Sequence, residues 1–154
     1  MIPPHGNILI NRVLPDEIVL QAKKETKDLL RISLNEEEVK EVKNIARGLY
    51  SPLSGYLRRE DFESVVVNMK LASGIVWSIP IVLDVERKTA EKIHLGQKVA
   101  LVNDKDEPIA LLRVEDKYTY NKEWVAENVF KTKDQAHPGV AMIYSMKEYL
   151  LGGE

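Results

Sequence analysis

Trp77-Ser78-Ile79-Pro80-Ile81-Val82-Leu83-Asp84-Val85 is the stretch where the periodicity of the chain changes. Trp77, Ile79, Ile81, Leu83 and Val85 recur at every second position, so in an extended chain they share one face, with Ser78, Val82 and Asp84 on the other. Pro80 has no N–H to give a ladder, which places this strand at an edge or a bulge. Upstream the apolar spacing is helical. Asn35 with Glu38 three residues later resembles a capping box, Val39, Val42, Ile45, Ala46 and Leu49 then recur at helical spacing, and Gly48 is the natural stop. Asp61 is read as the cap of a second helix carrying Phe62, Val65, Val66, Met69 and Leu71 and ended by Gly74. Residues 16–28 make a weaker helix, and Leu29 to Leu34 a short strand.

Downstream the elements are short and extended. Val99–Val102 and Ile109–Val114 are strands joined by the polar loop Asn103-Asp104-Lys105-Asp106-Glu107-Pro108. Lys88–Ile93 gives one or two helical turns, Lys122–Phe130 a helix, Val140–Tyr144 a last strand, and Met146–Leu151 a short helix or tail. Helices ahead of strands, without regular alternation, predict an α+β fold with a small, mostly antiparallel, barrel-like sheet and flanking helices. A doubly wound nucleotide-binding sheet does not fit that order.

The chain of 154 residues is sized for one domain, and at that length folding hides roughly 68–70% of the extended surface. Hydrophobic residues make up 44% and charged residues 30%, a globular profile. Its 22 basic and 24 acidic residues give a net charge of −2, which disfavours a general nucleic-acid binder. The absence of cysteine excludes disulfides and thiolate-bound zinc. Neither a leader pattern nor an apolar run of ~20 residues is present, so a cytoplasmic location without membrane contact is the expectation.

Candidate chemistry is sparse. Phosphate-binding glycine loops are absent, and the adjacent Gly152-Gly153 has no helix after it to aim amides at a phosphate. His5, His94 and His137 stand apart from one another in sequence. Glu36-Glu37-Glu38 reads as a helix start and Asp104/Asp106 as a hairpin tip, and neither as a metal site. Tyr56 with Arg58 and Arg59, and Tyr118 and Tyr120 with Lys122 and Trp124, are small aromatic–basic groups. Their simplest reading is that the rings close the core while the charges stay wet.

Four ordered segments add a family resemblance: Pro3-Pro4-His5-Gly6, Leu49-Tyr50-Ser51-Pro52-Leu53-Ser54-Gly55-Tyr56, Trp77-Ser78-Ile79-Pro80-Ile81 and His137-Pro138-Gly139-Val140. Together they resemble the N-terminal, PUA-like domain of ATP sulfurylases (sulfate adenylyltransferases), with likeness running from Pro3 to Gly153. Two departures are local: Asn7 stands where a second glycine is usual and Asn121 where an aspartate is usual. The resemblance implies a complete enzyme that joins sulfate to the α-phosphate of ATP and releases pyrophosphate, with ATP and sulfate bound by a separate catalytic domain. The family's Gln-x-Arg-Asn-Pro loop has no counterpart here: Gln21, Gln97 and Gln135 are followed two positions on by Lys23, Val99 and His137.

The resemblance therefore assigns this chain no catalytic, substrate-binding or metal residue and no cofactor. It implies a packing and positioning domain, inactive alone, whose partner is the catalytic domain, in the same chain or as a separate subunit. Homo-oligomerisation stays open. The expected interface is His5, Tyr50, Ser51, Pro52, Tyr56, His137 and Pro138, on proline- and glycine-braced loops. The stop soon after Leu150-Leu151-Gly152-Gly153 reads either as an excised piece or as a separately encoded subunit. The alternative is a stand-alone PUA-like RNA-binding module.

Overall fold

The computed structural model describes residues 1–154. In chain order its elements are α1 (Asp16–Glu25), β1 (Arg31–Ser33), α2 (Glu36–Ala46), α3 (Arg59–Asn68), β2 (Leu83–Val85), α4 (Arg87–Glu91), β3 (Lys98–Val102), β4 (Pro108–Thr119), α5 (Lys122–Phe130), α6 (Pro138–Ser145) and β5 (Tyr149–Gly153). The α+β class expected from the sequence is what forms. The chain makes two units: Met1–Gly55 with Gly96–Val114 and Gly153–Glu154, and Tyr56–Leu95 with Glu115–Gly152.

In the first unit the strand order is β1-β3-β4. β1 runs parallel to β3, with Ile32 opposite Leu101, and β3 runs antiparallel to β4, with Val99 opposite Leu112. Val99, Ala100, Leu101 and Val102 are all buried, as a strand covered on both faces requires. The connecting turn is built by Asn103, whose Oδ1 accepts the amides of Lys105 (3.0 Å) and Glu107 (2.9 Å). Its acidic residues serve that turn, and Asp106 pairs with Arg31 at 2.9 Å.

Helix α2 starts as its sequence dictates. Asn35 Oδ1 accepts the Glu38 amide at 2.9 Å, and Glu38 Oε2 accepts the Asn35 amide at 2.7 Å. Val42 and Ile45 are buried, and Gly48 follows the helix at φ +81°. Asn35→Ala removes one half of this reciprocal cap and should cost about 1 kcal/mol. The urea midpoint should fall with no change in slope; an unmoved midpoint would deny the cap any role in stability.

In the second unit the carboxyl-terminal part of β4, β5 and β2 follow one another. β5 and β2 are antiparallel, with Leu83 opposite Leu151. Leu83, Leu150 and Leu151 are buried, and so are Val65 and Val66 of α3.

Four local expectations are corrected in this unit. Residues 140–144 are helical, in α6, because His137 caps and Pro138 occupies the first turn, which sets a helical start; an apolar run this short carries no period of its own. Of Met146–Leu151, expected as a short helix or tail, residues 149–151 belong to β5, whose ladder bonds to β2 outweigh weak local signals. Of the stretch 77–85 only Leu83–Val85 is strand. Pro80 has no amide to give, and the Ile79 carbonyl accepts the Trp77 indole N–H at 2.8 Å. Finally, Asp61 does not cap α3: its Oδ1 accepts the Ala72 amide (2.7 Å), while Asp116 Oδ2 on β4 accepts the Arg59 amide (2.8 Å). That helix ends at Met69, at φ 54°, and not at Gly74.

Candidate functional site

The loop at residues 50–56 carries four of the expected interface residues, and they divide by burial. Ser51 is buried: its hydroxyl donates to the Gly48 carbonyl (2.6 Å) and accepts the Ile10 amide (3.0 Å). It thereby ties the N-terminal arm to the turn after α2, as does the Arg12 amide bound to the Ala46 carbonyl at 2.7 Å. The Ser51–Pro52 peptide is cis, Pro52 is half-buried, and Tyr50 is half-buried with its hydroxyl 3.4 Å from Asn44 Nδ2. Ser54 donates to Glu154 at 2.6 Å, and Arg12 pairs with the same carboxylate.

His5 is exposed in a short 3-10 turn in which the Asn7 amide meets the Pro4 carbonyl at 2.8 Å. Asn7 sits at φ 62°, so the asparagine supplies the left-handed residue that a glycine would otherwise give.

Tyr56, His137 and Pro138 belong to the second unit. Tyr56 is buried. Beyond it the Leu57 amide donates to the Ile81 carbonyl (3.0 Å), and the Leu57 carbonyl accepts the buried Tyr118 hydroxyl (2.7 Å). Arg58 pairs with Glu115, and the Arg59 guanidinium lies 5.5 Å from the centre of the Tyr118 ring. Burial, and then the Asp116 charge, push the Tyr118 phenol well above the usual tyrosine range. Tyr120 is raised by burial and by Asp84, and its hydroxyl donates to the Lys147 carbonyl at 2.8 Å. Lys122 donates to the carbonyls of Tyr144 (3.1 Å) and Met146, closing the end of α6. The Tyr56 and Tyr118 rings are buried, as the plainer reading expects, whereas Arg58 and Lys122 bond to protein groups instead of staying wholly in water.

His137 and Pro138 are exposed at the start of α6. His137 Nδ1 accepts the Gly139 amide at 3.1 Å, and its ring lies 5.0 Å from that of Phe130. Asn121 caps α5 by accepting the Trp124 amide at 2.9 Å, which an aspartate would do equally well. His94 is exposed beyond α4.

No three His, Asp or Glu side chains gather where they could hold a metal ion, and no helix is long and apolar enough to cross a membrane. What the first unit offers is surface. Leu9 and Leu49 are 69% and 68% exposed, and Leu9 lies over Gly48 beside Leu49. With Tyr50 and Pro52 they make an apolar edge on a turn anchored by Ser51. Leu9 carries no sequence signal, because the arm that holds it has no period to mark a face.

A family model described as a PUA-like domain matches residues 2–154. Among curated relatives, the sulfate adenylyltransferase of Pyrococcus abyssi (strain GE5 / Orsay) is 46% identical over 98% of this chain and 39% of that protein. The sulfate adenylyltransferase of Halothermothrix orenii is 44% identical over 100% of this chain and 40% of that protein. Among solved structures, a hexameric APS kinase from Thiobacillus denitrificans matches with a TM-score of 0.70 and 26% identity, over 79% of this chain and 24% of that one. The chain spans about two-fifths of the length of the curated relatives it matches.

Proposed function

The chain belongs to the PUA-like domain family, and from that membership we propose that it is the N-terminal positioning domain of a sulfate adenylyltransferase. The complete enzyme would join ATP and sulfate into adenosine 5'-phosphosulfate and pyrophosphate. The observation that carries the reading is the pattern of likeness: near-complete coverage of this chain at 46% identity, against 39% of a sulfate adenylyltransferase.

Adenylyl transfer needs fixed cationic and amide donors around the phosphates, because charge builds on oxygen as the bond to pyrophosphate breaks. Such donors fall to the remaining three-fifths of the enzyme. This domain acts by docking, and its surface is the set of braced loops. His5, Tyr50 and Pro52 with Leu9 and Leu49 lie in one unit, and His137 with Pro138 in the other. Ser51 and Tyr56, buried, support those loops from within. Loops held by internal bonds lose little entropy when a partner covers them.

Pyrophosphate release tests the division of labour. The purified 154-residue chain should release none from ATP and sulfate, and activity should appear only when the catalytic portion is present. Turnover by the chain alone would refute the assignment.

A further inference from the structure

The start of α6 has a cap of an unusual kind. Most helices begin on a serine, threonine, aspartate or asparagine oxygen; this one begins on an imidazole nitrogen. His137 Nδ1 accepts the Gly139 amide at 3.1 Å, and the His137 carbonyl accepts the Ala141 amide at 3.0 Å. The ring packs beside that of Phe130 of α5, 5.0 Å away and tilted by 38°. Gly139 completes the seat, since a Cβ there would run into the Phe130 ring.

An imidazole nitrogen accepts only while it carries no proton. Protonation at Nδ1 turns the cap into a donor facing a donor. It also puts a positive charge at the end of the helix where the macrodipole is already positive. The two effects have the same sign, and no ion pair opposes them. α6 has no charged residue between Pro138 and Ser145, and α5 presents the Phe130 ring. In the preceding turn the Asp134 side chain accepts the Ala136 amide at 2.9 Å, while its carbonyl takes the His137 amide at 3.0 Å. Lys131, Lys133, Asp134 and Glu127 form no ion pair with His137. At the far end of α6, Lys122 is committed to the carbonyls of Tyr144 and Met146.

We propose that His137 is a proton-operated latch on the turn leading into α6: with Nδ1 bare it holds the Gly139 amide and seats the helix, and with Nδ1 protonated it releases residues 131–139. The latch is closed while Nδ1 is bare and opens when the ring takes up a proton. The proposal does not rest on the docking assignment above, although His137 belongs to that surface.

Hydrogen exchange at Gly139 and Ala141, corrected for the pH dependence of the intrinsic rate, reads it directly. In the wild-type chain the Gly139 protection should fall about tenfold between pH 8 and pH 5, the equivalent of one lost cap bond. His137→Asn supplies a cap oxygen that does not titrate in this range and should keep its protection throughout. The unfolding equilibrium constant of the wild type, relative to that variant, should rise about tenfold over the same interval. Should the variant fail to fold, Gly139 protection in the wild type, followed beside the His137 ring resonances, decides alone. Protection that ignores the ring titration, or that falls equally in both proteins, overturns the latch.

Discussion

Gly55→Ala should lower stability by about 3 kcal/mol, at the upper end of what overpacking costs. A Cβ at Gly55 would strike the Gly153 carbonyl oxygen and would lie 2.8 Å from Glu154 Cα. Both obstacles are backbone, so no rotamer change can relieve them. The end of β5 is also held from the other side, where the Arg113 amide donates to the Glu154 carbonyl at 2.8 Å. The two segments are also linked by the Ser54 hydroxyl, which donates to the Glu154 carboxylate at 2.6 Å. The variant should unfold at a much lower urea concentration, with lost amide protection at Gly153 and Arg113. A midpoint within experimental error of wild type would mean that the two segments part without cost.

At high pH the chain should lose stability steeply, and Tyr118 should be the main cause. Its ring is buried, its hydroxyl donates to the Leu57 carbonyl at 2.7 Å, and its folded-state pKa is raised first by burial and then by Asp116. In the unfolded chain the phenol ionises near pH 10. The sign follows from linkage: a group raised in the folded state gives its full contribution below the unfolded pKa and loses it as pH climbs toward the folded one. From pH 10 to 12 Tyr118 should therefore remove stability with a slope that climbs toward about 1.4 kcal/mol per pH unit, about 2 kcal/mol in all. Tyr120 adds in the same direction, with a smaller share because it is only half-buried.

Tyr118→Phe separates this loss from lysine deprotonation. It should cost about 1–2 kcal/mol at neutral pH by stranding the Leu57 carbonyl, and should flatten the alkaline slope by close to one proton. Parallel alkaline curves for the two proteins would contradict the assignment of the slope to Tyr118.

The parts of the fold legible in the sequence are those whose stabilisation is local or strongly periodic. The Asn35–Glu38 box names the start of α2, and the apolar run Val99–Val102 with its asparagine-built turn gives β3 and the entry to β4. The illegible parts owe their structure to distant partners. β5 is strand because Leu83 and Leu151 face each other across a ladder, 68 positions apart in the chain by subtraction of their numbers. The start of α3 is satisfied by Asp116, 57 residues away, so the nearby Asp61 misleads.

The same distinction governs the candidate site. Proline and glycine mark the rigid turns at 51–55 and 137–139 without help. That Ser51 turns inward depends on the Ile10 amide, 41 residues earlier, and no local pattern announces it. The 46% identity to a sulfate adenylyltransferase adds a likeness that residue types alone do not name.

The positioning role is tested most directly by sedimentation of the 154-residue chain mixed with the separately produced catalytic portion of the Pyrococcus abyssi sulfate adenylyltransferase. The account predicts one co-sedimenting species at 1:1 stoichiometry, weakened when Leu9 and Leu49 are both replaced by aspartate. Two boundaries that sediment independently, at concentrations where the chain is folded, would contradict it.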